Sequence, residues 1–340
     1  MSKISRRCLT IVFFLSLCLQ CLAVDNGKWD PDVDVAVFII IGQSNADGSA
    51  FCNDSIDLEM CQWYESDANS GKMKVWYRSS QVFNNDRNSL GEAARWVVDG
   101  KVTDVTPGWL DLWYRNENTE GRTSMTMIHD YGTYSTGAGT NCAQGRRGME
   151  GEFGKTFNTA YPQTELYVLK LGASGSYISS WADPRDDTNW KYFRDNIFQP
   201  AISDLIARGK RPHLAGAWWM QGCADASKPK EYYQQCLGRL AERIETELGF
   251  KDGILYVGYV PQRSVQFGKS VREAQDAAAK EHANIEIVDT DDFDMQYEKP
   301  FHGYIHFSQA GQNAIGAELA RRVLAAGPDL WPTLDENLRK

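Results

Sequence analysis

DVAVFIIIGQSNADG, residues 34–48, decides how the rest of the chain reads. Asp34–Ile41 is an almost continuous apolar run rich in Val and Ile, the pattern of a strand buried on both faces of a parallel sheet. The run stops at Gly42, and Gln43, Ser44 and Asn45 follow at the carboxyl end of that strand, where open parallel sheets bind their ligands. A serine on this turn stands where a nucleophile belongs. Ser and Asn after Gly are also ordinary turn residues, so the tetrapeptide needs support from elsewhere in the chain.

Working outward, comparable runs recur at Glu165–Leu171 (ELYVLKL), Leu214–Met220 (LAGAWWM), Ile254–Val260 (ILYVGYV) and Ile285–Asp289 (IEIVD). Between and after them, helical spacing covers about Gly151–Ala160, Trp190–Ala207, Lys230–Leu248, Ser270–His282 and Gln309–Leu324. Strand and helix alternate, which predicts an α/β fold: a three-layer α/β/α sandwich around a five-stranded parallel sheet with right-handed crossovers. Residues 24–330 read as a single domain. One stretch breaks the alternation: Ala46–Gln144, rich in Asn, Asp, Gly, Ser and Trp, is far longer than an ordinary connection and reads as an insertion near the site. The residues after Gly327 contain two prolines, so 331–340 read as a surface tail.

Residues 1–23 carry Lys3, Arg6 and Arg7, an uncharged apolar run from Cys8 to Leu19, and a small-residue cleavage site ending at Ala23. This is the pattern of a signal peptide, and the apolar run falls short of the roughly 20 residues a membrane span needs. The expectation is a secreted or periplasmic protein, with no membrane attachment after cleavage. Losing the three basic residues takes the net charge from −9 to −12, a surface poorly suited to nucleic acid or anionic lipid. The mature chain keeps Cys52, Cys61, Cys142, Cys223 and Cys236. An odd count leaves at least one thiol unpaired in the monomer, and Cys52 with Cys61 is the first candidate pair. The spacing holds no CxxC or Cys/His ligand cluster, so neither a metal nor another cofactor is expected.

A serine nucleophile needs a base, and the chain has five histidines. His129 falls in the insertion, His213 just before a strand and His282 at a helix end, while His302 and His306 follow the last strand. His306 precedes Phe307 and Ser308, and Ser308 reads as the N-cap of the final helix, which puts the imidazole on a loop at the strand-end edge.

Five ordered blocks then carry a resemblance: GQSNADG at 42–48, GMEGEFG at 148–154, KLGASG at 170–175, WMQGCADA at 219–226 and IHFSQAGQNAIG at 305–316. Together they resemble the sialate O-acetylesterase-like branch of SGNH hydrolases, which includes carbohydrate esterase family 6 and its acetylxylan esterases. The resemblance implies a carbohydrate O-acetylesterase acting on acetylated poly- or oligosaccharides, with Ser44 as nucleophile and His306 as general base. It also implies an oxyanion hole made of the backbone N–H groups of Ser44 and Gly148 and the side-chain amide of Gln221.

Two positions depart from that pattern. Many SGNH enzymes have an Asp three residues before the histidine, where this chain has Gly303, and relatives often read WxQGE, where this chain has Cys223. Asp225, Asp292 and Asp294 are the nearest acids in sequence. Three readings stay open: a relocated acid, a Ser–His dyad helped by a backbone carbonyl, or a degenerate domain that binds carbohydrate without cleaving it. Cys223 has no histidine beside it to make it a nucleophile and reads as a disulfide or a small buried filler, with Cys142 or Cys236 as bridging candidates. Among the tryptophans, Trp63, Trp76, Trp109, Trp113 and Trp181 lie in loops or the insertion and read chiefly as packing. Arg146 and Arg147 face either solvent or an acidic sugar.

Overall fold

The computed structural model describes residues 29–51, 71–77, 146–173 and 175–335, with shorter pieces between 59 and 111. The leader at 1–23, Cys52, Cys61, Cys142, His129, Trp113 and residues 336–340 lie outside the described residues. In chain order the strands are β1 (Asp34–Gly42), β2 (Ala50–Phe51), β3 (Met73–Tyr77), β4 (Arg95–Val98), β5 (Lys101–Asp104), β6 (Gly108–Asp111), β7 (Arg146–Arg147), β8 (Leu166–Gly172), β9 (Arg211–Met220), β10 (Leu255–Gly258), β11 (Ile285–Val288), β12 (Met295–Glu298) and β13 (Gly303–Phe307). The helices are α1 (Ser44–Asp47), α2 (Glu150–Ala160), α3 (Ser179–Ala182), α4 (Thr188–Phe193), α5 (Gln199–Ala207), α6 (Lys230–Thr246), α7 (Lys269–Glu281) and α8 (Gln309–Ala326).

The main sheet runs β11-β10-β9-β1-β8-β3-β6, with six parallel strands and β6 antiparallel at one edge. The expectation of a parallel sheet between helical layers holds, and the strand count rises from five to seven. Both additional strands come from the insertion, which therefore widens the sheet as well as decorating it. Their docking is aromatic: Trp76 on β3 meets Trp109 on β6 edge-on at 5.1 Å, and Trp109 meets Tyr167 on β8 at 4.6 Å. Met73–Tyr77 and Gly108–Asp111 are too short, and too polar at their ends, to stand out by periodicity.

Every residue of β1 is buried, as its composition demands. Alternate side chains serve opposite layers. Val35, Val37, Ile39 and Ile41 join a core with α3 to α7, whereas Phe38 stacks on Phe153 of α2, ring centroids 4.1 Å apart, in the layer that α2 shares with α8. At its end β1 comes so close to β9 that a Cβ on Gly42 (φ +141°) would lie 2.3 Å from the Met220 carbonyl oxygen. Only glycine fits there, and the chain turns at once into α1.

The C-terminal segment is the second correction. Trp331 and Leu334 are buried, Trp331 packs against Phe157 and Tyr161, and Thr333 and Leu334 bridge to His213 and Phe250. Two apolar side chains among prolines suffice to seat the segment. Phe38→Ala removes a fully buried ring from the sheet centre and should cost about 3–5 kcal/mol, read as a lowered urea midpoint at unchanged m-value.

Candidate active site

Ser44 opens α1, a single turn between β1 and Gly48, so its backbone N–H belongs to the first turn and has no acceptor within the helix. The neighbouring side chains of the same tetrapeptide tie this turn to distant parts of the chain. Gln43 Oε1 accepts from the Gly222 N–H at 3.1 Å. Asn45 Nδ2 donates to the Ile305 carbonyl, and Asn45 Oδ1 accepts from the Phe307 N–H, both at 3.1 Å. One buried amide thus grips the backbone on either side of His306.

The result is a continuous hydrogen-bonded chain. His306 Nε2 lies 2.8 Å from Ser44 Oγ, and His306 Nδ1 lies 2.6 Å from Glu298 Oε1. An ionised carboxylate only accepts, so Nδ1 carries the proton and Nε2 faces the serine hydroxyl as an acceptor. The imidazole is 12% exposed and the Glu298 side chain 6%. Gln296 Nε2 donates to the same Glu298 oxygen at 2.7 Å and to the Ser49 carbonyl at 3.1 Å, which fixes the carboxylate from behind.

Glu298 is the carboxylate beside His306, and the sequence reading did not name it. It sits on β12, directly opposite Gly303 of β13 in the antiparallel register, so it faces the position where the family pattern carries its Asp. A Cβ at 303 would lie 2.1 Å from Cγ1 of Val265, so a side chain there would have to displace that valine. The three candidate acids are elsewhere. Asp292 is exposed, Asp294 accepts from Ser308 Oγ at the start of α8, and Asp225 is buried, accepting from one donor in the loop after β8 and one in its own loop. The sequence signal was available as a glycine in the expected place and a Glu five residues upstream in a short β-hairpin. Ser308 caps α8 as expected, accepting from the Gly311 N–H.

A cavity of about 780 Å³ opens over Ser44 and His306, lined also by Gly175, Tyr177, Gln221, Cys223, Val265, Gln266, Glu298 and Phe301. Gly148 does not line it. It lies between β7 and α2, and the space where its Cβ would stand is filled by the Glu150 carboxylate, Oε2 at 2.3 Å. The glycine that lines the cavity with the serine is Gly175, in the loop after β8, the strand adjacent to β1; there φ is +68° and no heavy atom of the described residues lies within 4 Å of a Cβ. Gln221 reaches the cavity wall, but its Nε2 is 3.0 Å from the Ser176 carbonyl and 2.5 Å from Asp225 Oδ2, while its Oε1 accepts from Tyr233. The amide nitrogen therefore already has two acceptors, one in each loop. Arg146 and Arg147 form β7, paired with β2.

Cys223 and Cys236 are both free thiols, which leaves the filler reading of Cys223 and not the disulfide. Burial pushes the Cys223 thiol up to about 11, with Ser264 and backbone hydrogen bonds only partly opposing it. Because the raised value keeps it neutral, alkylation of Cys223 by iodoacetamide, followed by peptide mass mapping, should be slow at pH 8 and climb as the pH approaches 11. Rapid labelling at pH 7 would show a thiolate this geometry does not support.

The model of the family described as carbohydrate esterase, sialic acid-specific acetylesterase, matches residues 34–325. No curated protein matches the chain significantly. Among solved structures, a protein from Arabidopsis thaliana shares 14% identity at a TM-score of 0.52, covering 85% of this chain and 98% of that one. That likeness shows the fold. Another, described as a novel carbohydrate acetylesterase from Xanthomonas citri, shares 14% identity at a TM-score of 0.46, covering 85% of this chain and 56% of that one.

Proposed function

The chain belongs to the sialic acid-specific acetylesterase family of carbohydrate esterases, and from that premise we propose that it removes acetyl groups from poly- or oligosaccharides by a Ser–His–Glu mechanism. Ser44 Oγ attacks the acetyl carbonyl while His306 Nε2 takes its proton. The imidazolium that forms is stabilised by Glu298, which also holds the Nδ1–H tautomer. The tetrahedral oxyanion is met by backbone N–H groups of Ser44 and Gly175, which flank it from adjacent strand ends. Collapse returns the proton from His306 to the departing sugar hydroxyl and leaves an acetyl–Ser44 ester. Water, activated by the same imidazole, then releases acetate and restores the serine.

The observation that carries this reading is the unbroken contact from Ser44 through His306 to Glu298, at 2.8 and 2.6 Å. It also answers the motive for a degenerate, purely carbohydrate-binding domain, since an acid stands beside the histidine after all. The leader read at 1–23 would deliver this activity outside the cytoplasm, to glycans of the periplasm or the surroundings.

Purified protein should release 4-nitrophenol from its acetate, and Ser44→Ala of matched folding should abolish release. Glu298→Gln, which preserves shape but presents an amide to Nδ1, should lower kcat about 10³- to 10⁴-fold. Equal turnover by wild type and Ser44→Ala would sink the proposal.

A further inference from the structure

Asp225 is a fully buried carboxylate that takes no part in the Ser44–His306–Glu298 chain. Its Oδ2 accepts from the Ile178 N–H at 2.8 Å and from Gln221 Nε2 at 2.5 Å, while its Oδ1 is buried with no hydrogen-bond partner among the described residues. Burial raises its pKa, against the opposing pull of the Ile178 and Gln221 hydrogen bonds and of Lys228. A carboxylate kept at such a cost, with one oxygen bare, calls for a use.

The use follows from what it joins. Ile178 ends the loop after β8 that carries Gly175 and Tyr177 into the cavity wall, and Gln221 begins the loop after β9 on the other side of β1. Gln221 adds a second tie by donating to the Ser176 carbonyl, the residue next to Gly175. Tyr233 donates to Gln221 Oε1 and accepts from Trp219 Nε1, so the amide is fixed in this orientation on every side.

We propose that Gln221 is a brace and not an oxyanion donor, and that Asp225 is the positioning residue which holds Gln221 and the Gly175–Ile178 loop as one wall. The oxyanion is then met by backbone N–H groups alone. This inference rests on the esterase reading for its kinetic consequences but not for its structural ones.

The test is a double-mutant cycle on 4-nitrophenyl acetate hydrolysis. Asp225→Ala and Gln221→Ala should each lower kcat about 10- to 100-fold with KM within about twofold, and the double variant should be no worse than the poorer single one within about threefold. A side-chain donor to the oxyanion would instead add its own loss of about 100- to 1000-fold on top of Asp225→Ala. Asp225→Asn, whose amide oxygen can accept from both donors, should keep kcat within about threefold even though its Tm falls. Multiplicative losses, a gain of activity in Asp225→Ala, or an Asn variant as inactive as Ala would overturn the proposal. Hydrogen–deuterium exchange gives a readout independent of turnover: the peptide spanning Gly175–Ile178 should exchange faster in Asp225→Ala and at the wild-type rate in Asp225→Asn. Were the wild type inactive, that contrast would still support the brace, and its absence would refute it.

Discussion

The site depends on the grip of one amide. Asn45 holds the backbone of Ile305 and Phe307, some 260 residues later, and so fixes the distance between a serine at the end of the first strand and a histidine near the end of the chain. Gln312 Nε2 donates in turn to the Asn45 carbonyl at 3.0 Å, which ties α8 to the same point. A buried side-chain amide satisfied at both ends specifies one arrangement, because any slip leaves polar atoms without partners in a dry interior. Ser44 and His306 then meet by construction, with no need for a mobile element to bring them together.

Around this point the chain uses buried polarity in two ways. Lys170 interrupts the apolar run of β8 and is buried against Glu150 of α2, Nζ to Oε1 at 3.0 Å. Such a pair is weak evidence for stability, since desolvation offsets much of the attraction, but breaking it would leave an uncompensated charge. It orients α2 on the sheet and accounts for Gly148, whose missing side chain gives room to the Glu150 carboxylate. The Asp225 cluster works on the opposite layer, with neutral donors where Glu150 has a lysine.

The long signals in the sequence read well and the short ones did not. Asp34–Ile41 and its four companions stand out because a strand covered on both faces must be apolar throughout. His306 was one of two histidines placed after the last strand, the cap at Ser308 set it at the strand-end edge, and the family resemblance singled it out as the base. Glu298 stayed hidden because its neighbour in space lies across a hairpin, a relation that residue spacing along one strand does not express. Gly175 and Gly148 both sit in family-like blocks, and only the folded chain shows that Gly175 is the one lining the cavity with the serine. The insertion strands were missed because Met73–Tyr77 and Gly108–Asp111 owe their pairing to tryptophan contacts with each other and with β8, a tertiary effect that overrides weak local preference.

The position of Glu298 has a consequence for how this chain tolerates change. An acid on the histidine's own strand keeps its spacing through almost any rearrangement nearby, whereas an acid on the paired strand is held by hairpin register. Adding or removing one residue in the 299–302 connection would turn alternate side chains to the other face. The main sheet, its core and the Ser44–His306 contact need not notice. Insertions and deletions in a four-residue turn thus become changes at the histidine's carboxylate partner, and the length of that turn matters as much as any side chain it joins.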